Sequence, residues 1–227
     1  MKIIVATLKE WNIKKAEWLG QHLDETEVLI VSSKEELTYA RVRDYSPDYV
    51  FFPHWSYIIP NDIYDNFNCI VFHMTDLPYG RGGSPLQNLI VRGHKDTVIS
   101  AIKVTEGIDE GPIYCKYPLE LCGSATEIFE RAACIIFEKM IPQIINEKLK
   151  PYNQVGEPVV FKRRKPSESE IKSDFEINEI YDYIRMLDAE GYPKAFIDYG
   201  KYKLEFANAL MNGDEIEAKV TFKRGDE

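Results

Sequence analysis

Through the first two-thirds of the chain, short apolar runs alternate with stretches whose apolar residues recur every three or four positions. The runs at 2–7, 27–32, 49–52 and 69–72 predict strands, the third ending at Pro53 and the fourth at His73. Trp11, Ile13, Trp18 and Leu19 stand among charges and predict an amphipathic helix over 10–22. Further helices are expected over 34–44 and just after Pro60. Residues 74–83 are expected as a loop. Ser84-Pro85-Leu86-Gln87 then offers a cap, a proline at the first helical position and a glutamine able to reach back. Alternation predicts strands over 97–105 and 112–121. Ser124-Ala-Thr-Glu127 is a second capping box, opening a long helix to about residue 147. Strands alternating with helices predict a mostly parallel sheet covered on both faces.

The pattern changes near Pro151. Residues 151–170 carry prolines and charges and read as a linker. Beyond it a helix over 177–187 precedes strands over 195–199, 201–207 and 215–222, with Asn212-Gly213 as a hairpin turn. The reading is an α/β chain: a domain over 1–150, a linker over 151–170 and a small α+β subdomain over 171–227.

Composition narrows the function. Net charge is −9 and sequence pI about 5.1, a surface that repels phosphate backbones and argues against a nucleic-acid partner. The exception is the basic run Lys162-Arg163-Arg164-Lys165, either a phosphate contact or a solvated charge run. The first residues have neither a secretory h-region nor a membrane-length apolar run, so a cytoplasmic chain without a membrane partner is expected. Cys69, Cys115, Cys122 and Cys134 form no C-x-x-C pair and are expected as reduced, mostly buried thiols. Scattered histidines predict no metal site. Neither G-x-G-x-x-G nor G-x-x-x-x-G-K-[ST] follows the first strand, which argues against a nicotinamide or ATP site of the usual kind.

Three features carry possible chemistry. His73 ends a strand, where an imidazole either takes a proton from a nucleophile or simply holds the next loop. Asp109, in Glu106-Gly-Ile-Asp-Glu-Gly111, either orients that imidazole or bonds its own turn. Each apolar run should bring its residue to one edge of the sheet. Tyr79-Gly80-Arg81-Gly82-Gly83 either presents backbone N–H groups to a ligand or is a flexible connection. His54-Trp55 either flanks a flat heterocycle or packs beneath its loop. His94 reads as a solvated turn residue and His22 as exposed on its helix.

Taken together, these residues resemble the folate-dependent formyltransferases, in particular the sugar N-formyltransferase branch related to methionyl-tRNA formyltransferase. His73 stands at the histidine of the N-x-H pattern. Leu77-Pro78-Tyr79-Gly80-Arg81-Gly82 resembles L-P-x-x-x-G, Ser84-Pro85-Leu86-Gln87 the P-[IL]-Q helix start, and Asp109-Glu-Gly111 the D-x-G turn. Phe161–Pro166 resembles the linker of several members, so the likeness spans roughly residues 1–170. It implies a Rossmann-like formyltransferase fold and 10-formyltetrahydrofolate as co-substrate. His73 and Asp109 would be catalytic. Trp55, Leu77, Pro78, Tyr79, Gly80, Arg81, Gly82, Gly83 and Ile108 would lie at the folate. The implied acceptor is a primary amine, with a nucleotide-linked amino sugar of surface-polysaccharide or nonulosonic (pseudaminic- or legionaminic-type) acid synthesis first among candidates, and a homodimer is implied. Methionyl-tRNA formylation, 10-formyltetrahydrofolate hydrolysis and non-catalytic folate binding are the alternatives. One departure stands out: Val71 replaces the family asparagine that holds the formyl oxygen, and losing such a donor costs about 100- to 1,000-fold in rate. His54 is the expected substitute, with loop N–H groups near Gly82 as rivals.

Overall fold

The computed structural model describes residues 1–224; the last three positions of the subdomain expected over 171–227 lie outside the described residues. A six-stranded sheet forms the centre of the larger of two compact units, in the order β2-β1-β3-β4-β6-β7. Its strands are β1 (Lys2–Ala6), β2 (Glu27–Val31), β3 (Tyr49–Phe52), β4 (Cys69–His73), β6 (Asp96–Lys103) and β7 (Ile113–Glu120). β1 pairs in parallel with β2 and β3, and β3 with β4. β6 runs antiparallel to β4, so the sheet is mostly parallel, a Rossmann-like α/β layer. Ile3, Ile4, Val5 and Ala6 are fully buried, as a continuous apolar run in a sheet covered on both faces must be. This unit comprises Met1–Gly82, Thr97–Leu119 and Glu130–Val160.

The helices differ from the pattern in informative ways. α1 (Glu10–His22) is as expected, burying Ala16 and Leu19. α2 (Tyr39–Tyr45) begins five residues later than its periodicity suggests. The Thr38 hydroxyl accepts the Arg41 N–H at 3.3 Å and sets the start, leaving 34–36 in a turn and 37–38 as irregular chain before it. α3 (Asn61–Tyr64) follows Pro60 as expected. The long helix after Ser124 divides into α5 (Ala125–Ile135), a π segment (Ile136–Met140) and α6 (Ile141–Asn146). Pro142 lacks an N–H and its ring crowds the preceding turn, which the wider π turn relieves.

Two strands were not visible in the sequence. β5 (Tyr79–Gly82) lies inside the expected loop and β8 (Val159–Phe161) inside the expected linker, and the two form a small ladder.

The second unit comprises Gly83–Asp96, Glu120–Phe129 and the chain from Phe161. It holds α4 (Pro85–Ile90), α7 (Ile177–Met186) and an antiparallel sheet of β9 (Ala195–Tyr199), β10 (Tyr202–Asn212) and β11 (Glu215–Arg224) in the order β11-β10-β9. The hairpin turns at Gly213, with φ 63°. The capping box at Ser124 forms: its N–H donates to Glu127 Oε2 at 2.7 Å, and the Glu127 N–H returns to Ser124 Oγ at 3.3 Å. The one expected at Ser84 does not. Ser84 makes no side-chain cap, its hydroxyl instead accepting the Arg164 N–H, and Gln87 donates to the Met186 carbonyl at 3.0 Å.

All four cysteines are free; Cys69 is buried, and burial pushes its thiol up to about 12, whereas Cys122 is exposed. Among the described residues no helix is long and apolar enough to cross a membrane.

Candidate active site

His73 closes β4 and is 8% exposed. Its Nε2 lies 2.7 Å from the Gly80 carbonyl oxygen. A carbonyl only accepts, so Nε2 carries the hydrogen. The Thr75 hydroxyl donates to the same carbonyl at 3.3 Å, while Ser100, His73's partner on β6, donates to the Thr75 carbonyl at 2.7 Å. The ring is thereby tied to the loop that follows it. Val71 precedes it by two positions and lies on the same side of the strand. It packs against Ile102 and the core rather than presenting any donor.

Asp109 Oδ2 lies 3.4 Å from His73 Nδ1 and accepts the Gly82 N–H at 2.8 Å. A ring with hydrogens on both nitrogens would satisfy the Gly80 carbonyl and the carboxylate together. Asp109 has φ 56°, a left-handed conformation that aspartate adopts more readily than most residues. Gly111 permits the turn: a Cβ there would stand 1.7 Å from the Lys103 carbonyl oxygen.

The two residues do not arrive from the same strand end, as expected from the apolar runs. Because β6 opposes β4, Val104 leaves the sheet beside Cys69, bonded to its carbonyl at 2.8 Å. The turn over 104–111 then carries Asp109 back along β4, roughly 13 Å for the four residues from Cys69 to His73.

The glycine-rich stretch is ordered rather than slack. Pro78 O accepts the Val159 N–H at 3.2 Å. Leu77 is buried against Ile102 and Ile113, Pro78 and Gly80 are buried, and Tyr79 is half-buried. Arg81 donates from Nε and Nη2 to Gln154 Oε1, at 3.2 and 2.8 Å, and from Nη1 to Glu110 at 3.0 Å. The Gly82 N–H, a rival oxyanion donor on sequence grounds, is occupied by Asp109. The Gly83 N–H is occupied too, by the Phe161 carbonyl. Ile108 is 65% exposed, an apolar side chain at the tip of the Asp109 turn.

His54 and Trp55 form a separate aromatic group. His54 adopts φ 55° and meets Trp11 edge-on, with centroids 5.9 Å apart. Burial, with Lys9 adding to it, pushes its imidazole down to about 4. It is therefore neutral at pH 7. Trp55 is half-buried, edge-on to Phe52 and Tyr57, and its Nε1 is buried without a hydrogen-bond partner. His94 is half-buried in its turn, and His22 is exposed and stacked on Trp18.

Two residues absent from the sequence reading belong to this site. Lys116 bonds Asp76 Oδ1 at 2.5 Å and the Leu77 carbonyl at 2.7 Å, fixing the start of the loop. Gln154 bonds the turn at Asp109. Neither carries a local signal, since their partners lie about forty residues away. A cleft of about 460 Å³, lined by Asn61, Tyr64, Asp65 and 103–106, lies between α3 and the carboxyl end of β6, and His73 does not line it.

A family profile described as "Formyl transferase" matches residues 20–129, and one described as "Methionyl-tRNA formyltransferase, C-terminal domain" matches 166–223. Methionyl-tRNA formyltransferase of Bacillus thuringiensis (strain Al Hakam) is 30% identical over 164 residues, 68% of this chain and 52% of that protein. The chain thus spans about half the length of the curated relatives it matches. A solved structure, methionyl-tRNA formyltransferase from Clostridium thermocellum, is 55% identical with TM-score 0.97, covering 99% of this chain and 100% of that one. A 4-N formyltransferase from Francisella tularensis shares the fold at 19% identity, TM-score 0.73, covering 93% and 98%. The chain belongs to the formyltransferase family.

Proposed function

We propose that this chain moves a formyl group from 10-formyltetrahydrofolate to a primary amine, with a nucleotide-linked amino sugar as acceptor class. The observation that carries the reading is the His73–Asp109 pair: an imidazole and a carboxylate 3.4 Å apart beside a glycine-rich backbone. The donor set fits a folate in its acid–base pair and in the exposed Ile108, and departs from it at Val71. 10-Formyltetrahydrofolate supplies an activated formyl group on nitrogen.

His73 is the proposed base for the attacking amine in the neutral tautomer that keeps its hydrogen on Nδ1 toward Asp109: with Nε2 turned from the Gly80 carbonyl and its lone pair free, it takes the amine proton and hands it on to the departing tetrahydrofolate nitrogen. Asp109 orients the ring from the Nδ1 side and stabilises it when charged. His54, held neutral by burial, is the proposed replacement for the missing amide at Val71.

The acidic chain supports a small acceptor, and exposed Lys162, Arg163 and Lys165 are the cations for its diphosphate. A second reading, transfer to methionyl-tRNA, is supported by the C-terminal profile match and by the 55% identical Clostridium protein.

The antiparallel sheet of the second unit also supports a homodimer. Cross-strand pairing puts Ile197, Tyr199, Tyr202, Leu204, Val220 and Phe222 on one face, and Phe222 is 64% exposed. β11 is an edge strand. Paired antiparallel with its copy about Val220, it would set Glu217 opposite Lys223 in both directions.

The test is release of tetrahydrofolate from 10-formyltetrahydrofolate, with and without nucleotide-linked amino sugars or methionyl-tRNA. Sugar-dependent release, lost in His73→Ala, is expected. Release without any amine indicates hydrolysis, release only with the tRNA moves the acceptor, and none with folate bound indicates a binding protein.

A further inference from the structure

We infer that Gln154 is the positioning residue of the acid–base pair, fixing where Asp109 stands relative to His73. The inference rests on the reading that these two side chains do the chemistry. Gln154 Nε2 donates to the Asp109 carbonyl at 2.8 Å and to the Gly111 carbonyl at 2.9 Å, gripping the closing end of the turn on either side of Glu110. Its Oε1 accepts both Arg81 contacts, at 3.2 and 2.8 Å. The amide orientation is dictated by its partners, because a guanidinium only donates and a carbonyl only accepts. Two N–H groups and two lone pairs are thus all used.

The bonds close a ring. Arg81 adjoins Gly82, whose N–H holds Asp109 Oδ2, and the backbone of Asp109 returns to Gln154. Gln154 is itself anchored two residues upstream, where Tyr152 and Ile113 exchange N–H···O bonds of 2.8 and 2.9 Å. The Arg81–Glu110 pair adds little, since Glu110 is more than half exposed. Without Gln154 the left-handed turn at Asp109 loses both backbone restraints, and the carboxylate moves relative to His73. Misplacement of a catalytic group by about 1 Å costs on the order of 100-fold in rate.

Two variants test this. Gln154→Met keeps the length and removes every hydrogen bond; Gln154→Glu keeps an acceptor for Arg81 and loses both donors to the turn. In both, kcat for amine-dependent transfer should fall about 10- to 100-fold with KM for the amine little changed. The acid limb of the kcat/KM–pH profile should move, and the ring ¹⁵N resonances of His73 should shift, while the melting temperature stays near wild type. Wild-type kcat, pH profile and resonances in folded Gln154→Glu would overturn the inference even if Gln154→Met fails to fold. His73→Ala, assayed alongside, separates the two ideas: an active His73→Ala sinks the acid–base reading, whereas an inactive one beside wild-type-like Gln154 variants sinks only the positioning role.

Discussion

The turn that carries Asp109 and the hairpin of β10 and β11 are held by opposite means. The turn reaches the core through Val104 at its start, while Ile108, at its tip, faces solvent. It keeps its shape through polar bonds from Gln154 and Gly82 and through close backbone approach at Gly111. The hairpin is a regular ladder, interrupted between Ala207 and Leu210, with one face apolar and the other mostly charged. The turn therefore concentrates its sensitivity in a few hydrogen bonds, each replaceable by one substitution. The hairpin spreads its own over many pairs and leaves its apolar face as the sensitive surface.

The contrast can be broken in either direction. Asp109→Asn keeps the shape, tolerates the left-handed backbone and still accepts from Gly82, but removes the charge beside His73. Transfer should fall about 100- to 10,000-fold with self-association unchanged, read by tetrahydrofolate release and sedimentation on the same preparation. Phe222→Glu should do the reverse. A charge on the open apolar face should weaken self-association about 100-fold in a dilution series, a cost of the size expected for leaving a charge unpaired at an interface, while each protomer keeps its turnover. Loss of both properties in either variant would dissolve the distinction.

What could be read from the sequence follows the same division. The strands at 2–7, 49–52 and 69–72, and the hairpin turn at Gly213, declare themselves in local periodicity and turn chemistry. His73 and Asp109 were visible because strand ends and glycine-bounded turns mark them. Long-range partners override local signals elsewhere. Ser84 and Ser124 head similar motifs, yet only Ser124 forms a box, because Gln87 is drawn to the Met186 carbonyl. β6 reads as a strand but not as a reversed one, since direction depends on its partner. Gln154 sits in a polar segment whose importance appears only when Arg81 and Asp109 fold against it.

His54 supplies the smallest and most diagnostic effect. It belongs to neither regime: it is half-buried among aromatics, yet proposed to serve the polar site. Its imidazole is pushed from an ordinary value near 6.5 down to about 4, chiefly by burial. The unfolded chain therefore binds the proton first. The stability this neutral ring contributes is complete above about pH 6.5 and is lost as pH falls toward 4. Between pH 7 and pH 4.5 the loss should be about 2 kcal/mol, after allowing for partial exposure. His54→Asn preserves a residue that tolerates φ 55° and removes the titration. Its urea midpoint should decline less than that of wild type over this range. If the two decline in parallel, the ring is protonated without penalty and is no longer a reliably neutral donor. If the slopes differ as expected but transfer at pH 7 is undiminished, the ring is neutral yet idle, and the donor that replaces the amide missing at Val71 must lie elsewhere along β4 or its loop.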